Sequence, residues 1–201
     1  ESSGTTAVDE TGTYNGTYVN TPTLGVTGLL TGDADTAVAF DGAALEKGIQ
    51  SSYLHLQEHT ISFLVTLNTT GTYYIVGTGI SGTTYGSYII FISGGTIAYG
   101  TNSANNGTDY QQLNSTSALL TGQTYHIVCA YDGANKRIYI NGVEDAVIAE
   151  THTLWNNTSP YTTFGYILST GSNYTLDGTL DEVAIFNTAL TAQNITDIYA
   201  S

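Results

Sequence analysis

The chain has 201 residues and a mass of 21.2 kDa, long enough for one domain with a substantial core, because roughly 68–75% of the unfolded surface is buried on folding at this size. Its 17 acidic and 3 basic residues give a formal charge of −14, which repels phosphate and excludes electrostatic binding to nucleic acid or to an anionic membrane. No run approaches the ~18 consecutive apolar residues of a spanning helix, so membrane insertion is not expected, and the single Cys129 excludes an internal disulfide and a thiolate-rich zinc site.

The residue types point to extended structure. There are 35 Thr, 23 Gly, 15 Ser and 14 Asn, with 16 Tyr as aromatic bulk, 2 Pro and no Met, an all-β profile. The chain begins at Glu1 with no Met and no basic-plus-apolar leader. It reads as processed or excised: loss of a signal peptide would fit an extracellular product, and maturation of a virion protein would leave the same start. Eight Asn-x-Ser/Thr sequons, at Asn15, Asn68, Asn106, Asn114, Asn156, Asn157, Asn173 and Asn194, are what a Thr-rich chain generates cheaply, and they are not read as glycosylation.

In chain order, residues 1–36 read as a loop-rich segment with one strand at most, packed on a single domain spanning 1–201. β-prone runs then follow at 37–40, 53–56 and 61–67, and again at 73–76, 88–92, 96–99, 124–131, 137–140, 146–148, 161–167 and 179–186. Spacing of about 8–14 residues with turn signals between the runs is the pattern of an antiparallel sandwich or barrel. Asp132-Gly133-Ala134-Asn135 is a hairpin signal. A terminal helix is expected from Thr191 as N-cap and Ile195, Ile198 and Tyr199 on one face, lying as a lid over a sheet edge. The expected core includes Phe63, Val65, Ile127, Cys129, Ile138, Ile140, Val183 and Ile185.

Three segments together resemble the laminin-G-like, concanavalin-A-like lectin jelly-roll family. They are Ala37-Val38-Ala39-Phe40-Asp41-Gly42 with Thr60-Ile61-Ser62-Phe63-Leu64-Val65; Thr121 to Gly133 running on to Ile138-Tyr139-Ile140-Asn141-Gly142-Val143; and Leu176-Asp177-Gly178-Thr179-Leu180-Asp181-Glu182-Val183-Ala184-Ile185-Phe186 ending in the helix. The resemblance runs from about residue 9 to 200 and implies a two-sheet antiparallel jelly-roll sandwich with one short C-terminal helix. It also implies a structural calcium ion, held by Asp181 and by oxygens of the N-terminal segment. Asp9 is the candidate there, since Asp9-Glu10-Thr11-Gly12-Thr13-Tyr14-Asn15-Gly16 looks like a shortened form of the family's start. Asp41, Asp33 and Asp35 are weaker candidates.

Strand alternation makes the same residue conspicuous. It puts Leu180, Glu182, Ala184 and Phe186 on one face and Asp181, Val183 and Ile185 on the other, so Asp181 shares a face with apolar side chains. A buried carboxylate needs a partner. With three basic residues in the chain, calcium is the natural one, and backbone amides are the alternative.

Catalysis finds little support. Retaining glycosidases set two carboxylates about 5–5.5 Å apart in a cleft, whereas Asp181 and Glu182 are adjacent and alternate faces. His55, His59, His126 and His152 are scattered, and Cys129 lies in an apolar run. A non-enzyme is expected. Glycan binding needs rings to stack on sugars and amides to meet hydroxyls; Trp155, Asn156, Tyr161, Tyr110 and Tyr85 are the candidates, because they sit near Gly, Asn or Thr in loop settings. Two functions compete: an extracellular carbohydrate-binding or adhesion module whose partner is a glycan or polysaccharide, and a structural or decoration protein of a virion or cell-surface filament whose partners are other subunits of the assembly. A polar aromatic cleft favours the first, and large flat apolar patches favour the second.

Overall fold

The alternating Thr, Val, Ile and Tyr runs fold as strands because each can bury one face against a second sheet. The computed structural model describes residues 2–42, 48–52, 54–78, 80–81, 86–104, 109–156, 161–169 and 174–201. Its strands are β1 (Thr6–Ala7), β2 (Gly16–Val19), β3 (Thr23–Thr27), β4 (Thr36–Asp41), β5 (Gly48–Ser52), β6 (His59–Leu67), β7 (Thr72–Thr78), β8 (Ile80–Ser81) and β9 (Tyr88–Ser93). They continue as β10 (Thr96–Thr101), β11 (Gln111–Ala118), β12 (Thr124–Tyr131), β13 (Asn135–Ile140), β14 (Val143–Ala149), β15 (Tyr161–Phe164), β16 (Leu168–Ser169) and β17 (Asp177–Phe186), and α1 (Ala192–Ala200) follows.

Two antiparallel sheets carry the fold. One has eight strands in the order β1-β2-β5-β15-β7-β9-β10-β11, the other seven in the order β14-β13-β12-β6-β17-β4-β3, and β16 with β8 forms a short parallel pair. This is the jelly-roll sandwich with one short C-terminal helix that the sequence predicts. The core between the sheets contains Phe63, Val65, Ile127, Cys129 and Ile138 from one side and Ile90, Ile92, Ile97 and Tyr99 from the other. The Asp132 turn joins β12 to β13 as expected, with Asp132 Oδ1 accepting the amides of Ala134 and Asn135 and Gly133 at φ +80°. Asn141 and Gly142, both at positive φ, close the next hairpin in two residues.

Four expectations need correction. The segment 1–36 supplies three strands, not one, because β1 pairs with β2 and β3 with β4. The run 53–56 is not a strand over its described residues; the strand is β5, just before it. Val183 is 37% exposed and outside the core, for a reason taken up below. The helix lies on the outer face of the seven-stranded sheet, where Ile195 packs with Val128 and Tyr139, while Tyr199 stacks on His126. Its Thr191 N-cap is as predicted and forms a reciprocal capping box with Asn194.

One ion pair is buried between the sheets. Lys136 of β13 is 0% exposed, and its Nζ lies 2.7 Å from Glu150 Oε2, donates to Thr101 Oγ1 and the Gln111 carbonyl at 2.8 Å each, and stands 5.3 Å from the Tyr99 ring centroid. Burial pulls the Lys136 ammonium below the ordinary lysine range, and Glu150 opposes that shift. Removing one partner of such a pair strands the other charge in the core, at a cost of about 3–5 kcal/mol. Glu150→Ala is therefore expected to lose about that much in urea unfolding, whereas Lys136→Met with Glu150→Leu loses far less; equal losses would show that the pair is net stabilising in itself.

Candidate functional site

An irregular stretch of backbone lies on β17. Asp181 pairs with Leu64 and Ala184 with Ser62, so Glu182 and Val183 together face the single Phe63 and β17 carries one extra residue; Glu182 sits at φ +49°, a conformation that L-residues other than Asn and Asp seldom adopt. The bulge resets the alternation. Leu180 is in the core and Ile185 packs against it, which strict period two would forbid, and Val183 is turned outward. Asp181 is 9% exposed, and its Oδ2 accepts the Leu29 amide at 2.7 Å. That bond ties residues 28–35 onto the strand. A side chain at Gly28 would meet the Asp35 carbonyl at 2.6 Å, so glycine is required for the approach.

This docking gathers acids. The carboxylates of Asp33, Asp35 and Glu182 lie within 4.8 Å of one another and are exposed, and the Asp35 amide donates to Asp33 Oδ1. Partial burial pushes the Glu182 carboxyl above its ordinary range, reinforced by Asp181, Asp33, Asp35 and Glu10. The described cations are engaged elsewhere, Lys136 with Glu150 and Arg137 with Asp132 and Glu144. An all-oxygen, multiply anionic donor set is the chemistry of a hard divalent cation such as calcium. The residues fit such an ion.

The predicted ligands join this group unevenly. Asp181 stands beside Glu182 with one oxygen committed to Leu29. Asp9 lies outside the group of three: its carboxylate accepts the amides of Thr11, Thr13 and Tyr14 and the Thr11 hydroxyl, which lower its pKa to about 2. Asp41 ends β4 opposite Asp177, likewise outside the group. Glu182 is not among the predicted ligands, because strict alternation turns it away from Asp181; the bulge brings it to Asp33 and Asp35.

The predicted ring residues fall in different places. Trp155 is half-buried, its amide donating to the Asn102 carbonyl at 2.8 Å, and its buried indole Nε1 has no hydrogen-bond partner among the described residues. Asn156 is exposed, Tyr161 opens β15 at 39% exposure, and Tyr85 lies outside the described residues. Tyr110 lies on the outward face of the eight-stranded sheet. A Cβ at Gly100 would collide with its ring, and its hydroxyl donates to Gln112 Oε1 at 2.8 Å. Gln112 Nε2 in turn donates to Asn114 at 2.7 Å. On the same face Tyr74 stacks on Phe91 at 5.3 Å and meets Tyr174 at 5.0 Å. Separately, a cleft of about 540 Å³ opens under the N-terminal segment, lined by Val8, Tyr14, Ile49, Leu54, Phe164 and Ile185; Asp33, Asp35 and Glu182 do not line it.

A model of the concanavalin A-like lectin/glucanases superfamily, Laminin_G_3, matches residues 33–196, and the chain belongs to this family. No curated protein matches it by sequence. Among solved structures it is similar to domain 4 of AbnA, a GH43 extracellular arabinanase from Geobacillus stearothermophilus, in complex with arabinotriose. That match has a TM-score of 0.69 at 19% identity and covers 96% of this chain and 92% of that one. It is similar too to the Ruminococcus gnavus IT-sialidase CBM40 bound to alpha2,3 sialyllactose, with a TM-score of 0.61 at 13% identity over 72% of this chain and 83% of that one. The Trypanosoma rangeli sialidase in complex with DANA matches at 0.71 and 13% identity over the whole chain but only 32% of its own length. At these identities the likenesses establish the fold, a lectin-type sandwich that occurs both in binding domains and in larger enzymes.

A carboxyl whose pKa is raised on folding binds protons more readily folded than unfolded, so its contribution is present at low pH and is lost as pH rises through the raised value. Glu182→Gln is therefore expected to raise the melting temperature of the metal-free chain at pH 7, with the gain shrinking as pH falls toward the ordinary glutamate range. The comparison must be against the wild type at each pH. Buried His59, held neutral with its pKa lowered to about 3, and His126, lowered in the same direction, destabilise both proteins below pH ~6.5. A gain independent of pH would remove charge repulsion as its cause.

Proposed function

We propose that the chain is a noncatalytic, extracellular carbohydrate-binding or adhesion module whose loop rim is organised by a structural calcium ion. The observation that carries the calcium reading is the convergence of Asp33, Asp35 and Glu182 on one point, with Asp181 anchoring the loop behind them. These three would hold the ion, whose charge would relieve the mutual repulsion that adds to burial in raising the Glu182 pKa. Glycan binding is supported by the lectin superfamily and by solved relatives that carry arabinotriose and sialyllactose.

The reading as a non-enzyme rests on where the reactive groups lie. The three gathered carboxylates stand on an exposed rim and do not line the cleft. His59 spends its Nε2 on Tyr99 inside the sandwich and His126 its Nε2 on Ser62 beneath the helix, and burial pushes the Cys129 thiol far up, leaving it un-ionised. Export to a cell or virion surface accords with the acidic, cation-poor surface, which keeps such a module soluble.

An ion that binds only the folded state stabilises it by roughly 2.7 kcal/mol at a hundredfold excess over its Kd. Calcium added to the chelator-stripped chain should therefore raise the melting temperature by roughly 5–11 °C, taking about 2–4 °C per kcal/mol at this size. Asp33→Asn with Glu182→Gln should abolish the shift. No shift in protein shown by elemental analysis to be metal-free would end the calcium reading. A glycan array probed with and without calcium tests the module reading, which fails if no neutral or charged glycan is retained in either condition.

A further inference from the structure

The outward face of the eight-stranded sheet carries an ordered row of rings and amides that packing does not require. Strand register sets Tyr74 opposite Phe91, Phe91 opposite Ala98 and Ala98 opposite Asn114, across β7, β9, β10 and β11. The neighbouring row runs Gly77, Ile89, Gly100 and Gln112 in the same way. The opposite face of these strands supplies the core through Ile90, Ile92, Ile97, Tyr99 and Leu113, so the rows of Tyr74 and Gly77 face away from it. Tyr74, Phe91, Tyr110 and Tyr174 are half-buried, while Gln112 and Asn114 are exposed.

The relief of this face suits an extended ligand. Ala98 and Gly100 keep β10 low, the Tyr110 ring lies over Gly100, and Tyr74 with Phe91 and Tyr174 rises on one flank. The other flank is an amide chain fixed in advance, Tyr110 to Gln112 to Asn114, so ordering it on binding costs little further entropy. Three interstrand steps of about 4.8 Å make the row roughly 14 Å long, which is the reach of several linked sugars rather than one.

We propose that this face, through Tyr74, Phe91, Tyr110 and Tyr174 with Gln112 and Asn114, binds a neutral, extended polysaccharide chain, the rings stacking on sugar faces and the amides taking hydroxyls. Charge selects the class. The described cations are one buried Lys136 and one Arg137 paired with acids on the other sheet, so a carboxylated or sulfated sugar would meet a chain of charge −14 with no counter-charge on this face. Aromatic rings with amides and hydroxyls, and no ionic partner, match a neutral carbohydrate. The inference rests on the reading of the chain as a glycan-binding module and gives that reading a location distinct from the acidic rim.

The test is affinity electrophoresis of the intact chain in gels containing linear arabinan, xylan or mixed-linkage glucan, with polygalacturonate as the anionic control. Retardation is expected in at least one neutral gel and not in polygalacturonate. Tyr110→Ala or Tyr74→Ala should weaken it at least about tenfold, and Gln112→Ala with Asn114→Ala, both exposed and safe for folding, should weaken it as well. Trp155→Ala should leave it unchanged. Retardation that survives the Tyr74, Tyr110 and amide variants, or that is lost with Trp155→Ala, overturns the site while leaving the module reading intact. Retardation in polygalacturonate alone overturns the class. No retardation in any gel, with dimerisation that Tyr110→Ala abolishes in light scattering, would identify a second copy as the occupant, overturning the proposal; no retardation and no dimer would overturn it together with the module reading.

Discussion

The bulge in β17 is the constraint on which the acidic rim and one side of the core both depend. β17 is flanked by β6 and β4 in the seven-stranded sheet, so its phase decides which side chains enter the sandwich. With the bulge, Leu180 before it and Ile185 after it both point inward. Glu182 takes up the change of phase in a positive-φ conformation that costs of order 1–3 kcal/mol wherever it persists. The surroundings hold it there: on one side of the bulge Asp181 grips the Leu29 amide, and on the other Ala184, Ile185 and Phe186 resume pairing with β6. Strain of this kind persists at sites with a task, and here the consequence is a carboxylate delivered to two others.

Charge works against that arrangement and in favour of the rest of the molecule. A net −14 disperses well over an exposed surface, but three carboxylates within 4.8 Å repel at short range, and that repulsion adds to the partial burial that raises the Glu182 pKa. Elsewhere the chain removes its acids from one another. Asp9 and Asp145 are each wrapped in backbone amides, Asp132 caps its own turn and meets Arg137, and Glu150 is buried on Lys136. The rim is thus the place where the chain gathers acids with one another instead of dispersing them onto amides or bases.

Much of the fold was legible because the core strands are short β-prone runs bounded by turn residues: β6, β9, β12 and β13 were located in this way, and the Asp132 hairpin from its turn residues. The failures have physical causes. β11 escaped because its buried residues are Leu113 and Ser115 while the others are polar apart from the terminal Ala118, so nothing marks it against a loop until β10 pairs with it. β5 was displaced onto the more apolar stretch that follows it. Asp181 was legible as a constrained acid, yet Glu182 was not, since alternation fails at a bulge and no residue type announces one. Tyr74 and Phe91 were hidden differently: in runs apolar on both faces, an outward ring cannot be told from a buried one by sequence alone.

The two proposed surfaces are held by different sheets, and this bears on how they can interact. The rim belongs to β17 and the 28–35 segment, both tied to the seven-stranded sheet; the ring-and-amide face belongs to β7, β9, β10 and β11. Between them lies a close-packed core in which Phe63, Val65, Ile90 and Ile97 are fully buried. Coupling across such a core requires an element with two packings. The backbone oddity that could supply one, the β17 bulge, is pinned at both ends. A cation at the rim would therefore act on stability and on the shape of the 28–35 loop, while affinity at the face would follow the geometry of its own four strands. The sandwich lets a strained, charge-dense edge coexist with an outward row of rings and amides because neither has to move for the other to persist.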